Sequence, residues 1–213
     1  LKDLLQYNKA LAQRNALLKY FVANQTFDQE TLSIYDAQLI QLGTSIYEKR
    51  KSFLATFIPI VKNHYKSISK SLEEIDIQHS SDLHQQDFAT VLQNSLAKDR
   101  MAQFTTAGPH KEDLDFLIHG QPIKKFGSQG QQKSFLIALK LAQFDFIKAK
   151  AKVAPIMLLD DVFDKLDQDR VALIMQLVER DHFGQLFLSD THQDRTLAAL
   201  ETTQLSYALF ELS

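Results

Sequence analysis

The sequence predicts an α/β protein with a helical arm, and three observations predict it. Apolar residues in the first half recur at helical spacing. In the second half, strand-like runs alternate with helix-like ones, as in a mainly parallel sheet flanked by helices. One of those runs, Pro155 to Asp160, is a short continuous apolar stretch ending in acid, of the kind buried on both faces of such a sheet. The 213 residues are 45% hydrophobic and 23% charged, which permits one large domain or two small ones. The expected division is a helical, antiparallel, coiled-coil-like arm over 1–103 and an α/β portion over 104–213.

In the arm, Leu4, Leu11, Leu18 and Val22 form one stripe, with Leu5, Leu17 and Phe21 beside it. A second stripe runs Tyr35, Leu39, Leu42, Ile46, Phe53, Phe57, Ile60 and His64. Spacings of three, four and seven place each set on one helical face. Two such helices pack as an antiparallel pair. Pro59 should kink the second, since it removes a backbone donor and crowds the preceding turn. Residues 75–78 alternate and suggest a short strand. Ser80, Ser81 and Asp82 then offer cap oxygens to a helix reaching about Met101.

Beyond Thr105 the character changes. Gly108 and Pro109 mark a turn. Leu114 to Ile118 alternates as a strand. Gly120, Pro122 and Gly127 punctuate a loop. From Gln131 to about Ala149, the residues Phe135, Leu136, Leu139, Ala142 and Phe146 keep helical spacing. After the strand ending at Asp160 come a helix over 168–181, a second buried strand over 185–189, a helix from about Gln193 and a final strand over 204–211.

Composition excludes several classes. The net charge of −2 leaves no overall basic surface, so a nucleic-acid contact must come from a local patch. With no cysteine there is no disulfide, Cys-based zinc site or thiol chemistry, which fits the cytoplasm. Apolar runs fall well short of the roughly 18 residues of a membrane span. The chain opens at Leu1 within a helical pattern, and a fragment of a longer polypeptide is expected.

Four places carry chemistry. Asp160 and Asp161 emerge from the C-terminal end of an apolar strand, where open α/β sheets place their ligands. Carboxylates there suit Mg²⁺, and the second can orient a water for attack on a phosphate. Phe126 to Lys133 opens a helix with small residues. Its free N–H groups and dipole suit an anion, and Ser128 adds a hydroxyl. Asp164 to Asp167 follows the acidic strand directly. Ser189 to His192 follows the next strand, where a His can sense a phosphate. Each has a plain reading as well: solvated acids, a capped Gly-rich loop, a structural His. His64, His79, His84, His110, His119 and His182 show no metal-ligand spacing.

The order and spacing of these motifs resemble the ABC-type ATPase superfamily. The resemblance makes Ser128, Gln129, Gly130 and Gln131 the signature motif, which contacts nucleotide in trans. Asp160 becomes the metal-holding Walker B acid and Asp161 its catalytic neighbour. Leu166 and Asp167 form the D-loop, and His192, or Thr191 beside it, stands at the switch position. The resemblance narrows to the RecF family of DNA-repair ATPases through Gln13 to Lys19, Thr105 to Asp113, Gly127 to Lys133 and Leu158 to Arg170. Asp161 departs from the Glu of many ABC ATPases. No Gly-x-x-x-x-Gly-Lys loop is present, since none of the six glycines precedes a lysine. The RecF family carries that loop before its arm.

The resemblance implies the C-terminal part of an ATPase head. With ATP and Mg²⁺ the intact protein would dimerise on DNA at single-strand/double-strand junctions and work with RecR and RecO-type mediator proteins. Alternatives are a scaffold free of the phosphate-binding loop and an SMC-like head. The chain alone is expected to lack ATPase activity.

Overall fold

The computed structural model describes residues 1–151, 154–161, 163–180 and 184–210. The chain divides into two compact units. The first comprises Leu1–Ala55 and Gln78–Asp115, the second Thr56–Ile77 and Phe116–Ser213. In order, the elements are α1 (Lys2–Ala23), α2 (Gln29–Ile68), β1 (Ile75–Ser80), α3 (Phe88–Ala102), β2 (Asp113–Ile118), β3 (Gln121–Pro122), α4 (Ile123–Phe126), α5 (Gln129–Ala151), β4 (Ile156–Leu159), α6 (Gln168–Arg180), β5 (Gln185–Leu188) and α7 (Gln193–Glu201). Among the described residues no helix is long and apolar enough to cross a membrane.

In the first unit α1 and the start of α2 form the expected antiparallel pair. Asp3 near the start of α1 meets Ser45 and Lys49, while Arg14 further along meets Asp36. Asp28 starts α2 by accepting the N–H groups of Glu30 and Thr31 at 3.0 and 3.1 Å. The buried face of α1 differs from the expected one. Tyr7, Ala10, Arg14, Leu18 and Phe21 face inward, while Leu4, Leu5 and Val22 are exposed. Tyr7 and Arg14 carry polar tips that find hydrogen-bond partners inside the unit, so their apolar stems can pack inward. On α2 the expected stripe holds at Leu39 and Ile46. It then widens to Leu54, Val61, Tyr65 and Ile68 beside the expected His64, which is buried, with Phe53 exposed. A straight helix turns by 3.6 residues, so a seven-residue repeat walks around it. The helix continues through Pro59.

Phe88 anchors this unit's core with Tyr7, Leu39, Ile46, Val91 and Leu92. A Cβ added at Gly43 would lie 2.3 Å from the Phe88 ring, and one at Gly108 would lie 2.6 Å from it. Gly108 also has φ of +121°, which a side chain would strain. The expected Ser-Ser-Asp cap resolves into two. Ser81 caps a single 3-10 turn, Asp82–His84, and Asp87 caps α3 by accepting Thr90 N–H at 2.8 Å.

The described strands make a three-stranded sheet ordered β1-β2-β3 and a two-stranded parallel sheet, β4-β5. β2 and β3 pair antiparallel through His119 and Gly120, at φ of +48° and +75°. Positive φ at both central residues is the tight-hairpin geometry matching strand twist, so Pro122 lies in a short strand rather than a loop. In the second unit, Phe135 of α5 packs between Tyr65 and Phe116, with ring centroids at 6.1 and 5.3 Å.

Two expectations fail here. Strand β4 buries Met157 and Leu159 but leaves Leu158 70% exposed, with Ile156 and Phe187 on the same open face. One face of the small sheet is therefore uncovered among the described residues. Residues 204–210 form no strand, and residue 211 lies outside the described residues, as does the end of the 168–181 helix at 181. A strand needs a neighbouring ladder. Here Gln204 N–H goes instead to the Glu179 side chain at 2.8 Å.

Candidate functional site

The acidic pair sits where β4 ends. The parallel register sets Leu159 beside Leu188, so the next residues of each strand, Asp160 and Ser189, are neighbours. Ser189 donates its N–H to the Leu159 carbonyl at 3.0 Å and accepts Asp161 N–H on its hydroxyl at 3.0 Å. The same hydroxyl donates to Asp160. Asp160 is exposed, while Asp161 is half-buried in a left-handed conformation with φ of +48°. Asp161 Oδ1 is buried without a hydrogen-bond partner among the described residues. A buried carboxylate oxygen left unpaired is costly, and its lone pairs could still accept a donor or a cation. No group of three or more His, Cys, Asp or Glu among the described residues forms a metal cage. Two carboxylates without a cage suit an ion that keeps water and phosphate ligands, as Mg²⁺ does.

Ser128 and Gln131 open α5 with a reciprocal pair. Gln131 N–H reaches Ser128 Oγ at 3.2 Å, and Ser128 N–H reaches Gln131 Oε1 at 2.8 Å. This capping box satisfies the third N–H of the helix and leaves the Ser128 hydroxyl proton free to donate. The N–H groups of Gln129 and Gly130 precede the first intrahelical bonds and lie at the positive end of the dipole.

Ahead of α6 the chain makes a tight turn over Phe163–Lys165, with Leu166 N–H on the Phe163 carbonyl at 3.2 Å. Leu166 is buried, and Asp167 caps α6 by accepting Arg170 N–H at 2.8 Å. The turn abuts the start of α5. A Cβ built on Gly130 would lie 3.1 Å from the Lys165 carbonyl oxygen.

Glu73, just past α2, ties these loops together and was not legible as a site residue. It accepts Gln131 Nε2 at 3.0 Å, Arg170 Nη2 at 2.7 Å and the Tyr65 hydroxyl at 2.5 Å. Arg170 also donates to Asp167 Oδ2 at 3.2 Å and Ser134 Oγ at 2.9 Å. Burial pushes the Glu73 carboxyl up, but hydrogen bonds from Arg170, Tyr65 and Gln131 outweigh it and hold the group below the usual carboxylate range. One available signal was Arg170 at three residues from Asp167, one helical turn on.

Thr191 and His192 are exposed in the loop after β5, and His192 precedes α7 without capping it by its side chain. The segments around Arg14 and His110 do something else. They build a buried polar cluster in the first unit, where Arg14 and Asn15 both bond Thr105 and Tyr7 bonds His110.

No family model matches the chain. Over 212 residues it is 55% identical to the DNA replication and repair protein RecF of Flavobacterium johnsoniae, matching all of this chain and 59% of that protein. It is 40% identical over 212 residues to that of Bacteroides thetaiotaomicron, with 57% of that protein spanned. Two solved structures of the recombination mediator protein RecF in the RecFOR pathway, RecF-ATP and RecF-ATPrS, each match with a TM-score of 0.74. They are 28% and 29% identical, and each match covers 90% of this chain and 53% of the other. The chain is RecF-like in sequence along its whole length, shares the fold of the part of those structures that it matches, and spans a little over half the length of the relatives it matches.

Proposed function

We propose that this RecF-like chain supplies the signature and Walker B side of a DNA-binding ATPase acting in replication, gap repair and recombination, and that ATP draws two copies of the longer polypeptide together on DNA. The observation that carries this is the contact of the start of α5 with the turn before α6. Gly130 lies against the Lys165 carbonyl, in the same unit as Asp160 and Asp161. Two loops held side by side can address one nucleotide bound by a second copy.

Each residue then has a task. Ser128, with the N–H groups of Gln129 and Gly130, donates to the terminal phosphate in trans, where charge develops during transfer. Asp160 would hold Mg²⁺, which neutralises phosphate charge. Asp161, whose Oδ1 has no hydrogen-bond partner among the described residues, would orient the attacking water. Thr191 or His192, beyond the end of β5, sits at the switch position. Single-strand/double-strand junctions as the DNA target, mediator proteins of the RecO and RecR kind as partners, and a cytoplasmic location complete the reading. Relatives named for DNA replication and repair, and a like structure named RecF-ATP, support it.

A Ser128→Arg change in the longer polypeptide tests this. Nucleotide binding should persist and ATP-driven dimerisation should vanish. Retained dimerisation would remove the signature assignment.

A further inference from the structure

Glu73 lies outside every quoted motif and Arg170 closes the last of them without a role assigned to it, yet together they touch the start of α5 and Asp167. Arg170 reaches Glu73 with two guanidinium nitrogens, at 2.7 and 3.4 Å, and Asp167 with a third, at 3.2 Å. Glu73 in turn holds the Gln131 side chain at 3.0 Å, and Gln131 closes the capping box with Ser128. A continuous path of hydrogen bonds thus runs from the signature serine to the D-loop aspartate. Glu73 and Arg170 side chains are only 14% and 17% exposed, so the pair is not a solvated surface bridge. The planar guanidinium fork fixes angles as well as distances, which an ammonium would not.

We propose that Glu73 and Arg170 are positioning residues that lock the signature loop and the D-loop into one rigid piece, so that a second copy's nucleotide meets both in register. The inference rests on the trans-acting site of the preceding subsection. Neither residue touches nucleotide. Glu73 acts through Gln131 and Arg170 through Asp167. Glu73 lies just beyond α2, so the end of that long helix is tied to the same piece.

The test uses the longer polypeptide with Arg170→Gln, Glu73→Gln, the double variant, Arg170→Lys and, in parallel, Ser128→Arg. Two quantities are measured: ATP affinity at protein concentrations too low for association, and the protein concentration for half-maximal ATP-driven dimerisation by sedimentation. Each neutral single variant should raise that concentration about 10- to 100-fold, the usual cost of losing a supporting partner, with ATP affinity unchanged. The double variant should be no worse than the poorer single one, since both break the same path. Arg170→Lys keeps the charge without the fork and should recover only part of the loss. Unchanged dimerisation in both Glu73→Gln and Arg170→Gln, while Ser128→Arg abolishes it, would overturn the bridge alone, as would additive losses in the double variant. Dimerisation that survives Ser128→Arg would remove the trans-acting reading, and this inference with it.

Discussion

Replacing Asp99 by alanine should be among the most damaging single changes in the first unit. Arg14 and Asp99 are both fully buried. Arg14 Nη1 donates to Asp99 Oδ2 at 2.7 Å and to Thr105 at 2.8 Å, and Arg14 Nε donates to Asp36 at 2.6 Å. The other Asp99 oxygen accepts the N–H and hydroxyl of Thr106 at 2.8 and 2.6 Å. Arg14 Nη2 already lacks a partner among the described residues. Removing Asp99 leaves a buried guanidinium held only by Asp36 and Thr105, and strips Thr106 N–H of its acceptor. Breaking a buried pair on one side costs about 3–5 kcal/mol, a large share of a typical folding free energy. At about 2–4 °C per kcal/mol for a chain of this size, the Tm should drop by roughly 6–20 °C. Urea denaturation followed by circular dichroism measures the change in the chain as it stands. Removing both charges together, as Arg14→Met with Asp99→Leu, should cost less than Asp99→Ala alone, because no fully buried charge is stranded and Asp36, which loses its partner, is 20% exposed to water. A loss below about 1 kcal/mol for Asp99→Ala, the range of a surface pair, would refute the reasoning.

Three further outcomes follow from the geometry. His110 donates Nε2–H to the Thr105 carbonyl at 3.0 Å and accepts the Tyr7 hydroxyl on Nδ1 at 2.8 Å, which selects the neutral ring. Burial, with Lys111 and Arg14 nearby, holds its pKa below the usual value of 6.5 despite the Thr105 bond and Asp99. The unfolded chain therefore binds the proton first, and its stabilisation, full above about pH 6.5, declines as pH falls toward the folded value; His110→Gln should flatten the Tm profile there, and an unchanged slope would count against it. Gly43→Ala should destabilise by about 1–3 kcal/mol although alanine is the better helix former, because the Phe88 ring occupies the space; a stabilised variant in thermal melts would show that the ring yields freely. Gly130→Ala should leave the melting temperature nearly unchanged but weaken ATP-driven dimerisation of the longer polypeptide, since its methyl pushes on the Lys165 carbonyl; equal dimerisation would mean the D-loop tolerates the shift.

How much of this was legible depended on where polarity sits. Strand β4 and its two acids could be read directly, because four apolar residues followed by Asp160 and Asp161 leave little choice of register. The start of α5 was legible to within two residues because small residues and a Ser128 cap precede a run at helical spacing, while the reciprocal bond from Gln131 was not foreseen. The buried face of α1 was not, since hydrophobic periodicity favours Leu4 and Val22 and has no place for a buried Arg14. Its partners, Asp99 and Thr105, lie far away in sequence. The strand expected over 204–211 failed because alternation predicts a strand only where a neighbour supplies the ladder. Glu73 was missed for a similar reason. It follows a helix in a segment without pattern, and its importance lies in two loops that the chain brings to it later.

The central claim, that one copy's signature motif completes the site of another copy's acids, is tested most directly by mixing. Ser128→Arg and Asp161→Asn variants of the longer polypeptide are prepared separately, and ATP hydrolysis is measured for each and for the mixture with DNA. Each alone should be inactive. In the mixture, the intact acids of the first variant meet the intact signature of the second, and hydrolysis should reappear. A mixture as inactive as its components would contradict a site shared between copies.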